Sequence, residues 1–170
     1  MLTKELLPLL RIAAGRDPSG FARIVNTSSD GGEMIPGINL DDLQNGNNWS
    51  EGLAYCTGKL AHVLHARALA TRYAGDGIVA HAFHPKTVAS NFFAHVPAST
   101  RSHTDALEKI TPVQGADTLV WLATSDAAVT TNGGYWYGRE PRVPNPVVND
   151  PAIVAGLWQV SEKLVSNVLR

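Results

Sequence analysis

The sequence predicts an α/β fold, a small doubly wound parallel sheet with helices on both faces, and three observations predict it. Segments with helical spacing alternate with short apolar or β-branched runs along 170 residues, in the order α-β-α-β-α-β-α. The run from Ile78 to Phe83 is almost continuously apolar, as in a strand buried on both faces. Hydrophobic residues make up 44% and charged residues 17%, enough for one globular domain over residues 1–170 with a real core. The alternation implies right-handed crossovers, about three strands, and an unpaired edge on the first.

Leu2, Leu6, Leu9, Leu10 and Ala13 recur at helical spacing, and Gly15 with Asp17-Pro18 closes that helix. Pro8 marks either its true start or a kink. Residues 21–26 read as a strand leading to Thr27-Ser28-Ser29, followed by a long Gly/Asn/Asp-rich loop over 30–49. Ser50 is the expected cap of a central helix, with Glu51 favourable in its first turn. Gly75-Asp76-Gly77 stops that helix ahead of the strand 78–83, which ends in His84-Pro85. A second irregular stretch, 86–103, carries Phe92, Phe93 and Pro97, which read either as a substrate lid or as packing under the loop. Helices follow at about 104–110 and 112–126, the second with a buried stripe of Ala116, Leu119, Val120 and Ala123. Asn132-Gly133-Gly134 turns into a short aromatic strand, 135–137. A final helix over about 151–168 should bury Ile153, Leu157, Val160 and Leu164, with Trp158 beside them.

Chemistry concentrates in the central helix. Tyr55 and Lys59 stand at i, i+4 and emerge on one helical face. A tyrosine ordinarily titrates near pH ~10; a neighbouring cation favours the phenolate and should pull that value down, making the hydroxyl a usable acid or base. The adjoining strand ends are where open α/β sheets bind ligands.

Other chemistries are weaker. The net charge of −1 with scattered Lys and Arg points away from nucleic acid and anionic membranes. Cys56 is the only cysteine, so no internal disulfide forms and a reducing compartment is expected. No apolar run reaches the length of a membrane span. Glu5, Pro8 and Arg11 interrupt the N-terminal apolar stretch, so the sequence reads as cytoplasmic rather than exported. His62 and His65 on the helix, and His81 and His84 on the strand, lack companions at metal-ligand spacing, and no metal is expected. Ser29, His84 and Asp126 could form a hydrolase triad, but no nucleophile-elbow sequence surrounds the serine. Ser28 reads as a strand-end hydroxyl that satisfies backbone groups.

Taken together, RIVNTSS, LAYCTGKLAHVL, HPKTVASNF, GADTLVWLAT, GGYWY and LWQVSEKLV resemble the short-chain dehydrogenase/reductase family, in its retinol-dehydrogenase-like branch. The resemblance implies a partial Rossmann-like sheet matching only the C-terminal half of such an enzyme, its N-terminal strands missing. It implies that Tyr55 is the general acid/base, that Lys59 lowers its pKa and bonds the nicotinamide ribose, and that Ser29 holds the substrate oxygen. Pro85, the backbone of Val88 and the hydroxyl of Ser90 would meet the nicotinamide end of NAD or NADP, with NADP favoured. The substrate would be a small-molecule alcohol or carbonyl, and self-association through the sheet edge or the helices is left open.

The sequence departs from the family at two places. Lys86 stands where a glycine usually follows the loop proline. No glycine-rich phosphate turn, ribose-binding acid or Asn-Asn-Ala-Gly stretch is found. The alternative is therefore a truncated, non-catalytic remnant that at most binds a partner, and weak or no cofactor binding is expected of these 170 residues alone.

Overall fold

The computed structural model describes residues 2–96 and 105–168. Helix α1 spans Leu2–Arg16, strand β1 Ala22–Thr27, helix α2 Glu51–Tyr73 and strand β2 Ile78–Phe83. Helix α3 (Pro112–Thr124), strand β3 (Tyr135–Tyr137), a two-residue strand β4 (Glu140–Pro141) and helix α4 (Pro151–Val168) complete the order. The sheet runs β1-β2-β3-β4; the first three strands are parallel and β4 returns antiparallel to β3. The three expected strands are present, β1 one residue later than read from the sequence. The hairpin partner β4 was not foreseen; its left-handed turn residues are Gly138 and Arg139, at φ 59° and 63°.

All six residues of β2 are buried, which explains their apolar character, broken only by His81. Ala22, Ile24, Ile78, Ala82 and Tyr135 share one face. Against it pack Leu7, Leu10 and Ala14 of α1, and Leu60, Val63 and Leu64 of α2 with Leu157 of α4 behind. Val25, Phe83 and Trp136 form the opposite face, covered by Leu119, Trp121 and Leu122 of α3. Both faces are covered, as predicted. Yet α2 and α3 join successive strands in the same direction across the sheet while lying on opposite faces. The two crossovers therefore have opposite hands, and uniform right-handedness does not hold. The long connection over 84–111 between β2 and α3 relaxes the constraint that fixes the hand of a short crossover.

Local signals place α2 well. Ser50 caps it, its hydroxyl oxygen accepting from the Leu53 N–H at 3.2 Å, and Gly77 in the left-handed region (φ 69°) closes the connection into β2. The faces of the outer helices are less legible. In α1 Leu2, Leu6 and Leu9 are exposed, and contact runs through Leu7, Leu10 and Ala14. Apolar residues surround this helix, so spacing alone cannot choose the side. Pro8 lies within an unbroken helix. In α3 the buried positions are Gly115, Thr118 and Leu122, whereas Val120 and Ala123 face out. The Thr118 hydroxyl accepts from the Arg139 N–H at 3.2 Å, and a glycine and a threonine carry no hydropathy signal for the face they bury. In α4 Leu157 is buried, Ile153, Val160 and Leu164 are half-buried, and Trp158 stacks on His65. The helix expected at 104–110 falls partly outside the described residues; by Ile110 the chain is extended and bridges Val88. Pro97 lies outside them.

His81, inside β2, is fully engaged. Its Nε2 donates to the Ala128 carbonyl at 2.9 Å, and its Nδ1 accepts from the Gly134 N–H at 3.1 Å and the Trp136 indole at 3.0 Å. No helix among the described residues is long and apolar enough to cross a membrane.

Candidate active site

The carboxyl end of β1 sets the site. Beyond Thr27 the Ser28 N–H continues the pairing to the Phe83 carbonyl at 2.7 Å, and the buried Ser28 hydroxyl donates to the Lys59 carbonyl at 2.7 Å. Ser28 is thus the strand-end tie to α2 that its sequence position suggests. Ser29 points the other way. Its hydroxyl oxygen caps a short 3-10 turn over Asp30–Glu33 by accepting from the Gly31 N–H at 3.2 Å, and its proton goes to the Asp30 carboxylate at 3.0 Å.

That turn lies hard against α2. A Cβ on Gly31 would come within 3.0 Å of the Tyr55 ring, and one on Gly32 within 2.9 Å of the Leu60 backbone nitrogen. Only glycine permits this approach. From the far side, buried Asn145 donates to the Gly32 and Ile35 carbonyls at 3.2 and 2.7 Å. Sequence reading missed this clamp. The Asp-Gly-Gly directly after the serine pair was a usable signal for it, while nothing in the sequence singles out Asn145.

Tyr55 and Lys59 share a face of α2, as expected. The Lys59 ammonium sits 5.5 Å from the Tyr55 ring centroid and donates to the Thr27 carbonyl at 3.2 Å. Burial holds its pKa below the ordinary lysine value. The Tyr55 phenol departs from the sequence expectation: its pKa is raised, not lowered. Burial is the main cause; the Ser29 hydroxyl, whose one proton must leave Asp30 to reach a phenolate, pulls the other way, and the charges of Asp30 and Cys56 add to the rise. Lys59, whose ammonium donates to the Thr27 carbonyl, is not among the causes of the shift. The phenol is therefore protonated at neutral pH, a proton donor rather than a base.

The loop leaving β2 brings Phe92 over the Tyr55 ring, centroids 5.7 Å apart. Phe92 is half exposed, which suits a lid over the phenol. Ser90 caps the turn over Asn91–His95, its hydroxyl oxygen accepting from the Phe92 N–H at 3.3 Å. Lys86 is exposed and adopts φ 71°, the left-handed conformation natural to glycine, with its side chain outward. Val88 packs on Gly115, and the bridge to Ile110 runs through the Thr87 carbonyl and the Ala89 N–H at 2.9 and 2.8 Å. Val88's own peptide groups take no part in it. Buried His84 stacks on Tyr137 and has both ring nitrogens turned to Asp30, 3.4 Å from its N–H and 3.6 Å from its carboxylate. Burial lowers its pKa, with Asp30 opposing.

The hydrolase triad does not assemble. Asp126 pairs with Arg23 near the start of β1, at 3.5 Å, six residues before Ser29 and about 20 Å away along an extended strand. The histidines are engaged separately: His62 donates from Nδ1 to the Thr27 carbonyl at 2.7 Å, and the His65 Nδ1 lies 3.2 Å from the Asn26 amide nitrogen. No cluster of three metal-ligating side chains exists among the described residues.

Comparison with known proteins adds to this geometry. No family model matches the chain. It is 29% identical to human retinol dehydrogenase 14 over 170 residues, covering 97% of the chain and 48% of that protein. To human retinol dehydrogenase 12 it is 32% identical over 168 residues, covering 97% of the chain and 50% of that protein. Among solved structures, an uncharacterised protein of Mycobacterium paratuberculosis superposes with TM-score 0.62 at 28% identity, over 85% of this chain and 50% of that one. A short-chain dehydrogenase/reductase family oxidoreductase of Burkholderia thailandensis superposes with TM-score 0.56 at 18% identity, over 96% and 54%, and speaks for the fold alone. The chain spans about half the length of the curated relatives it matches. In sequence the chain is similar to about half the length of retinol dehydrogenases, and in fold to about half of a short-chain dehydrogenase/reductase.

Proposed function

We propose that these residues form the proton-transfer half of an NAD(P)-dependent oxidoreductase that interconverts a small-molecule alcohol and a carbonyl. The observation that supports it most is the meeting of Ser29, Tyr55 and Lys59 at the carboxyl end of β1, with the phenol held protonated. Tyr55 gives its proton to the carbonyl oxygen as the alcohol forms, and Ser29 holds that oxygen once its hydroxyl turns from Asp30. Lys59, fixed by the Thr27 carbonyl, keeps a positive charge behind the ring. The nicotinamide cofactor, when bound, supplies the hydride. Pro85, Val88 and Ser90 would hold its nicotinamide end: Lys86 takes the glycine-like backbone with its side chain outward, and Val88's peptide groups are uncommitted. NADP is favoured over NAD by the family resemblance.

The test is consumption of NADPH and NADH by the chain with a panel of aldehydes that includes retinal, for wild type and Tyr55→Phe. The reading expects turnover that the variant lowers at least about a hundredfold; turnover indifferent to Tyr55→Phe would overturn it. A second reading is a non-catalytic remnant. It is favoured by the commitment of the Ser29 proton to Asp30. A folded wild-type protein that turns over no aldehyde with either cofactor would decide for it.

A further inference from the structure

Among the described residues, two clefts of about 450 and 290 Å³ lie along α2 and α4, and neither is lined by Ser29 or Tyr55. The larger runs between the last turns of α2 and the first turns of α4. Its floor is apolar, with Ala68, Val148, Val154 and Ala155, while Arg67 and Arg72 stand along its α2 side. Arg67 lies twelve residues beyond Tyr55, about 18 Å further along the helix, so this cleft is separate from the candidate active site.

Both arginines are held in place by packing rather than by acids. A Cβ on Gly133 (φ 76°) would come 3.3 Å from the Arg67 side-chain Cδ, so that stem is seated against a bare backbone. The Arg67 Nε is buried with no hydrogen-bond partner. Arg72 lies over the Trp158 ring, 4.6 Å from its centroid. Among the described residues, the arginines that pair with carboxylates are Arg11, Arg23, Arg139 and Arg142, and neither Arg67 nor Arg72 is among them. The adjoining acid, Asp150, accepts at a carboxylate oxygen from the Ala152 N–H of α4 at 2.8 Å. Thr71 turns its hydroxyl proton back to the Arg67 carbonyl. The cleft thus offers two pre-set cations above an apolar floor, an arrangement that recognises an anionic head on a short apolar body.

We propose that the cleft binds a small amphipathic anion, a carboxylate or phosphate on an apolar chain, with its head at Arg67 and Arg72 and its chain over Ala68 and Val154. Calorimetric titration of the full chain with decanoate, decyl phosphate, decanol and inorganic phosphate tests it. At least one of the two alkyl anions should bind, and should do so at least about tenfold more tightly than decanol or inorganic phosphate. Which of the two binds tells the carboxylate from the phosphate source. Arg67→Gln and Arg72→Gln should each weaken binding about tenfold. Amide shifts at Thr71 and Ala155 in the wild type locate the ligand without relying on any variant. Decanol binding as tightly as the anions, affinity unmoved in both folded variants, no saturation by either alkyl anion, or shifts confined to another surface would each overturn the proposal.

Discussion

Lys59 gives its ammonium proton to the Thr27 carbonyl at 3.2 Å, and His62, one turn further along α2, reaches the same oxygen at 2.7 Å. Thr27 is the last residue of β1, and its carbonyl takes two donors from the helix that follows. This ties the strand end to the face that carries Tyr55. It also directs the ammonium's hydrogen bond to the backbone rather than to the phenol. Because His62 still satisfies the carbonyl when Lys59 is replaced, Lys59→Met should change stability by less than about 1 kcal/mol in urea unfolding. A loss of several kcal/mol would mean that Lys59 alone carries the link.

The clamp between the Ser29 turn and α2 is steric. Gly32→Ala drives a Cβ to within 2.9 Å of the Leu60 backbone nitrogen, which cannot move without the helix. It should destabilise the chain by about 1–3 kcal/mol. Gly31→Ala meets only a ring edge at 3.0 Å, so it should be milder for stability and should instead displace Tyr55 from Phe92. Denaturant midpoints of the two variants give the order, and equal midpoints would contradict it.

Much of this was legible in the sequence, and the remainder was hidden for identifiable reasons. β2 announced itself by its nearly continuous apolar run, α2 by Ser50 and the glycine stop at Gly77, and the Tyr55–Lys59 pairing by helical arithmetic. The direction of the Tyr55 shift was not legible, because it depends on burial. The contact faces of α1 and α3 were misplaced because apolar residues surround the first, and the buried positions of the second are Gly115 and Thr118. The opposite hands of the two crossovers rest on which face of the sheet α3 chooses, and periodicity carries no information about that.

Lys86 holds a left-handed backbone, φ 71°, that costs a side-chain-bearing residue energy glycine does not lose. Since the side chain is exposed, Lys86→Gly should be neutral or stabilising, by up to about 1 kcal/mol. A thermal unfolding scan resolves this, and a clear fall in melting temperature would show that the lysine makes a contact worth more than the strain.

Acid should unfold this protein early. His65, His81 and His84 all have pKa values lowered in the folded state, in each case chiefly by burial. The folded chain prefers them neutral, while the unfolded chain takes up protons near pH ~6.5. Their contribution is therefore complete above that pH and is lost as the pH falls through the lowered folded values. His81 is the sharpest case, since a proton on Nδ1 would face the N–H groups of Gly134 and Trp136. Urea midpoints should be lower at pH ~5 than at pH ~7.5; a flat or rising profile would contradict this.

The central claim is that Ser29 and burial, rather than Lys59, set the proton affinity of the Tyr55 phenol. Titration of the Tyr55 ring carbon by NMR in wild type, Ser29→Ala and Lys59→Met tests it directly. A wild-type value above the ordinary tyrosine pKa of about 10, a further rise in Ser29→Ala, and little movement in Lys59→Met are expected. A wild-type phenol at or below that value, rising only when Lys59 is removed, would contradict it.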